Sequence, residues 1–190
     1  MRENKIYRNI GIWAGVTAVL LSIPLIAGQM TGEVNWSVFD FVIMGIMIFS
    51  TGLIFEILRQ RSKIVAYQAA FGVALFTAFL LFWINGAVGL IGNENNPANL
   101  LYPVVIAIGV LGAVITRFTP GGMAKTLYLL AGCQFFVPVI ALIAWPPSAV
   151  SWGGAGVFGV FILNLFFVFL FAISATLFRQ ADQTESERAE

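Results

Sequence analysis

The chain contains no histidine and a single cysteine, Cys133, and only 10% of its 190 residues are charged. Without histidine there is no bis-histidine haem, no zinc-protease helix, no serine–histidine dyad and no histidine-dependent phosphatase. One cysteine rules out an internal disulfide and a paired-cysteine relay. An aspartyl intramembrane protease needs two facing aspartates, and Asp40 alone lies near an apolar stretch. A non-enzymatic protein without cofactor or metal is therefore expected. The low charge also falls far below the roughly 25% usual for a soluble domain, so the chain cannot clothe one soluble core in polar surface. No basic patch with interleaved aromatics occurs, and nucleic acid is not an expected partner.

What the chain has instead is apolar length: 59% of its residues are hydrophobic. Six stretches, approximately 10–28, 38–58, 65–91, 100–117, 124–145 and 156–178, approach or exceed the ~20 residues that carry a helix across ~30 Å of hydrocarbon. Helices are required there because each backbone N–H and C=O must be satisfied within its own segment. The ten-residue alternation of a β-barrel is missing. The expected fold is all-α: a polytopic single bundle of six transmembrane helices over 1–179, with a polar, acidic, disordered tail over 180–190.

The ten basic residues fall in alternate gaps between these stretches. They are Arg2, Lys5 and Arg8, then Arg59, Arg61 and Lys63, then Arg117 and Lys125, then Arg179 and Arg188. Cationic loops stay on the cytoplasmic side, so both termini are expected there, in the inner (plasma) membrane of a cell. Trp36, Trp83, Trp145 and Trp152 then lie near the outer edge and Trp13 near the inner one, where indole rings favour the headgroup layer. The basic start followed by the run 10–27 also suggests a signal peptide. The small-x-small pattern around Leu25 and Ala27 is poor, which favours a retained first helix. The outer surface keeps Glu33, Asp40 and Glu94 as its formal charges, a negative mouth suited to a cation.

Polar residues mark three places. The first runs from Trp83 to Asn99 and contains Asn85, Gly86, Gly89, Gly92, Asn93, Glu94, Asn95 and Asn96. Glycines spaced by three would groove one helix face, and Glu94 with Asn85 and Asn95 offers oxygens for a cation. The competing reading is a polar turn, with Asn96 capping a helix and Pro97 in its first position. This run, within residues 83 to 125, resembles uncharacterised small multi-pass proteins of bacterial inner membranes, a resemblance that implies no activity.

The second place is mid-span: Gln134 and Asn164 reach similar depth from opposite edges. Pro138 deprives the Gln134 carbonyl of its usual donor. An interhelical Gln134–Asn164 hydrogen bond and a polar waist in a permeation path are both open. The third is Glu56, a carboxylate inside an apolar span, either paired with Arg59 at i+3 or part of a gate. Ser37 and Asp40 fit a capping box opening the second helix. Small residues in the third helix (Ala66, Ala70, Ala74, Ala78) suit close helix packing or self-association, and Phe166, Phe167, Phe169 and Phe171 suit core and lipid contact.

Two functions fit this inventory. One is a transporter or channel-like protein for a cation or small polar solute, with Asn85, Glu94, Asn95, Gln134, Asn164 and Glu56 along its path. The other is a non-catalytic accessory or assembly subunit of a larger membrane complex. The lipid bilayer is a partner in either case, together with a second copy or an unlike membrane subunit.

Overall fold

The computed structural model describes residues 2–31 and 35–189, with side chains 2–6 and 31 outside the description. Glu33, counted above toward a negative mouth, lies outside the described residues, as do the side chains of Arg2 and Lys5.

Among the described residues every regular element is helical. They are α1 (Arg2–Thr31), α2 (Val38–Arg59), α3 (Val65–Val88), a 3-10 turn (Pro97–Leu100), α4 (Leu101–Ile115), α5 (Pro120–Ala144) and α6 (Gly156–Glu187). Six of the spans they form are long and apolar enough to cross a membrane. The all-α, multi-pass reading of the sequence therefore holds at that level.

The chain divides into two compact units, residues 1–61 and 62–190. The first is a helical hairpin. Gly45 and Gly52, two turns apart on α2, receive the side chains of α1: a Cβ at Gly45 would sit 3.3 Å from Leu21 Cδ1, and one at Gly52 would enter the Trp13 ring. Further along, Asn9 reaches Glu56. The order of these contacts makes the two helices antiparallel. At the start of α2, Ser37 accepts from the Asp40 N–H while the Asp40 carboxylate accepts from the Ser37 N–H at 2.7 Å, the expected capping box.

The second unit is an up-and-down four-helix bundle. Ser174 of α6 donates to the Ala70 carbonyl of α3 at 2.7 Å, which requires the close approach that alanine allows. Tyr67, Phe71 and Phe178 stack edge to face beside it. On the other side of α5, Gly109 faces Leu130 and Gly112 faces Thr126, bringing α4 against α5. Phe167 and Phe171 are buried in the core while Phe166 and Phe169 point outward, so the four phenylalanines divide between packing and exposed surface.

Three features depart from the sequence expectation. The α3 helix ends at Val88, not at 91, because Gly89 takes φ +72° and closes it. The residues 180–187 are helical, not disordered: α6 runs 32 residues, about 48 Å at 1.5 Å per residue. Its last turns bury Ala181 and set Asp182 over the start of α5, where a Cβ on Gly121 would lie 2.8 Å from both carboxylate oxygens. A carboxylate beside a helix N-terminus is favourably placed against the helix dipole, which composition alone does not reveal. Finally, α5 begins at Pro120, whose fixed φ suits the first helical position, four residues before the apolar run.

Candidate functional site

The polar groups of the second unit form two clusters, the first of them built around Asn99. Its Oδ1 accepts from the N–H groups of Leu90 and Ile91 at 3.1 and 2.9 Å. Its Nδ2 donates to the carbonyls of Ile91 and Asn93 at 3.1 and 2.6 Å. One buried side chain thereby satisfies the turn that follows α3, and the turn needs positive φ at Gly89 and Gly92 to wrap around it. A Cβ on Gly89 would collide with the Asn93 backbone, and one on Gly92 with the Ser151 carbonyl. The three glycines do not line one helix face: Gly86 belongs to α3, while Gly89 and Gly92 are turn residues. The regular spacing served backbone freedom, and the groove expected from it is not formed.

This turn docks on the α5–α6 connection. Asn96 accepts from the Ala98 N–H, capping the 3-10 turn that Pro97 opens, and donates to the Ser151 carbonyl at 3.0 Å. Trp152, buried, donates from Nε1 to the Trp145 carbonyl at 3.0 Å. The capping role expected of Asn96 and Pro97 is therefore present.

Glu94 and Asn95 stand exposed at the tip of the turn, bonded to each other at 3.2 Å. Asn85 sits below them, half-buried, and donates to the Asn99 carbonyl at 3.2 Å. Asn85 thus joins the Asn99 clamp, whereas Glu94 and Asn95 bond one another beside it.

The core of the unit holds a second polar group. Gln134 of α5 donates from Nε2 to Asn164 Oδ1 at 2.8 Å, the interhelical bond the sequence suggested. Asn164 of α6 donates in turn to the Tyr102 hydroxyl at 3.1 Å and to the Val160 carbonyl at 2.8 Å. Tyr102 and Gln134 are fully buried and Asn164 is 2% exposed. Tyr102 follows Asn99 by three residues across the junction of the 3-10 turn and α4, so the loop clamp and the core cluster are about one turn apart along the chain. Tyr102 escaped the sequence reading; a lone hydroxyl one residue into an otherwise apolar α4 was the available signal. Asn99 was visible too, as the last amide of the turn.

Among the described residues two buried side-chain oxygens lack a hydrogen-bond partner, Asn85 Oδ1 and Gln134 Oε1. An unsatisfied buried acceptor costs about 1–3 kcal/mol. Pro138, also buried, cannot donate to the Gln134 carbonyl, so two acceptor oxygens of one residue stand without their ordinary donors. A cavity of about 40 Å³ is lined by Phe135, Pro138, Phe161, Asn164 and Leu165, and Gln134 is not part of its wall.

Glu56 belongs to the hairpin unit and is fully engaged there. Arg59 grips it with Nε at 2.6 Å and Nη2 at 2.8 Å, Gln60 donates at 2.9 Å, and Asn9 donates from α1 at 2.7 Å. A bidentate pair with two further amides neutralises and anchors the carboxylate. The pairing at i+3 is as expected, and the additional Asn9 tie makes Glu56 the polar clasp of the hairpin.

Of the six sequence candidates, the fold joins Gln134 to Asn164, places Asn85 in the Asn99 clamp, leaves Glu94 and Asn95 at a turn tip, and puts Glu56 in the other unit. No protein-family model matches the chain, and no curated protein or solved structure shows significant similarity to it.

Proposed function

We propose that the chain is a multi-pass inner-membrane protein with both termini cytoplasmic, non-enzymatic, and that it passes a cation or small polar solute through its four-helix unit. Orientation rests on the ten basic residues and the rule that cationic loops stay inside. The observation that carries the transport reading is Gln134 Oε1, an acceptor enclosed in the middle of apolar α5 without a partner among the described residues. Intramembrane polar groups left open in this way mark binding sites in transporters, where a proline-interrupted helix presents its oxygens to the passing solute. The path named from sequence shrinks accordingly. Gln134 and Asn164, joined by Tyr102, are its centre; Glu56 is engaged by four donor groups in the hairpin and is no gate.

Reconstitution tests this directly. Proteoliposomes bearing the protein should equilibrate a panel of small ions and polar solutes faster than protein-free vesicles, and Gln134→Met should lose the difference. Flux no faster than empty vesicles for every solute removes the reading.

The accessory-subunit reading keeps one observation of its own. The hairpin exposes Val19, Ile23, Ile26, Val42, Ile46 and Ile54, and an open groove of about 450 Å³ runs between its helices past Ala14, Ala18 and Gly45. Cross-linking in native membranes that captures one unlike protein at fixed stoichiometry favours that role; a monomer or homo-oligomer favours transport.

A further inference from the structure

At the end of the hairpin away from Glu56, where α1 finishes and α2 begins, a cavity of about 160 Å³ is lined by Pro24, Leu25, Gly28, Gln29, Trp36 and Phe41. The local sequence builds its walls. Trp36 and Phe41 flank the Ser37–Asp40 capping box, in the places a hydrophobic staple occupies, and their rings meet at 5.2 Å and 65°. Gly28 and Gln29 belong to the last turn of α1, whose carbonyls have no donor within the helix and form the negative end of its dipole. The positive end of α2 is already met by Asp40, whose Oδ2 accepts from the Ser37 N–H and hydroxyl at 2.7 and 2.8 Å. No lysine or arginine stands between Arg8 and Arg59, and both of these lie roughly 24 Å or more away along their helices. Ring faces, last-turn carbonyls and a carboxylate in the neighbouring cap therefore set the charge of the place, and an anion meets no opposite charge there. A divalent metal wants six or more oxygens, carboxylates among them, and these walls do not supply them. Pro24, Leu25 and the two rings suit methyl groups instead. The volume is close to the ~150 Å³ of a benzene-sized site, room for an ammonium that bears several methyl groups.

We infer that this cavity binds a methylated ammonium group, held by the Trp36 and Phe41 rings and by the carbonyl end of α1. A cation is attracted to aromatic faces, to indole most of all, and quaternary ammonium groups are recognised in this way. In a bilayer crossed by α1 and α2 the cavity stands at headgroup depth, so the group can come from a choline headgroup or from a free solute. The site lies wholly in the hairpin and does not depend on passage of a solute through the four-helix unit.

The test is thermal unfolding of the full chain in a non-ionic detergent, titrated with tetramethylammonium chloride. Sodium chloride at matched ionic strength and neopentyl alcohol, an uncharged analogue of similar size, serve as comparisons. Tetramethylammonium should raise the melting temperature saturably, whereas the comparison solutes should not. Trp36→Leu should weaken the apparent affinity about tenfold, the loss expected when one cation–π contact goes. No saturable rise, an equal rise with neopentyl alcohol, or an affinity unchanged in Trp36→Leu overturns the site. Should that variant fail to fold, Phe41→Leu takes its place and the wild-type titrations still decide. The same titration in nanodiscs separates the two sources. A response lost in phosphatidylcholine and kept in phosphatidylglycerol identifies a lipid headgroup as the occupant, and a response kept in both identifies a free solute. A response lost in both overturns the site. Flux in proteoliposomes bears on the four-helix unit alone, so the transport reading and this site can each fail without the other.

Discussion

Two asparagines four positions apart, Asn95 and Asn99, show how little residue type says about role. Asn95 is exposed and bonds its own neighbours, Glu94 and Asn93. Asn99 is 5% exposed and makes four hydrogen bonds that close the α3–α4 turn. Removing Asn99 strands two N–H groups and two carbonyls, each costing of order 1 kcal/mol or more. Asn99→Ala should therefore lower stability by about 2–4 kcal/mol, against under about 0.5 kcal/mol for Asn95→Ala, as measured by denaturant or thermal unfolding in one detergent. Equal effects would mean that Asn99 is no clamp. The sequence made the turn legible through its glycines and Pro97, because those residues act through local backbone geometry. It left the distinction between the amides hidden, because Asn99 works on residues six to nine positions back. The same limit separates Gln134 from Tyr102: periodicity places each on its helix, but only packing shows that Asn164 bonds both.

Helices were the most legible level, since an apolar run long enough to span a bilayer leaves the backbone one solution. Their ends were less so. α3 stops where Gly89 permits a left-handed turn, and α6 persists because a distant helix start favours Asp182. Deleting residues 180–190 should destabilise the chain by about 1–2 kcal/mol, through loss of the buried Ala181 methyl and of the Asp182 contact with the α5 terminus. A melting curve unchanged by the deletion would return this segment to the role of a free tail. The hairpin offers a sharper test of packing between elements. Gly52→Ala drives a methyl group into the Trp13 ring, which sits between the helices. It should cost about 1–3 kcal/mol, as overpacking does, and much less in a Trp13→Ala background where the ring is gone. Additive effects in that double-mutant cycle would show that the two residues do not meet.

At the scale of the whole molecule, the distribution of charge organises what the helices alone leave open. The second unit places the Asn99 turn and the α5–α6 connection at one end, locked together by Asn96 and Ser151, and the connection carrying Arg117 at the other, where Tyr67 donates to the Phe118 carbonyl at 3.0 Å. The first end carries no lysine or arginine in either connection, whereas the second is basic. The cytoplasmic preference of cationic loops is the ground for the orientation proposed above. In a Cys133→Ser background, a cysteine introduced at Asn95 should react in intact cells with a maleimide that cannot cross membranes. A cysteine at Ser62 or Ser186 should react only after the cells are opened. Labelling of Ser62→Cys in intact cells would invert the orientation and exchange the two ends. The experiment thus fixes which side of the bilayer the Asn99 clamp faces, with the buried Asn85 Oδ1, an acceptor left without a partner among the described residues.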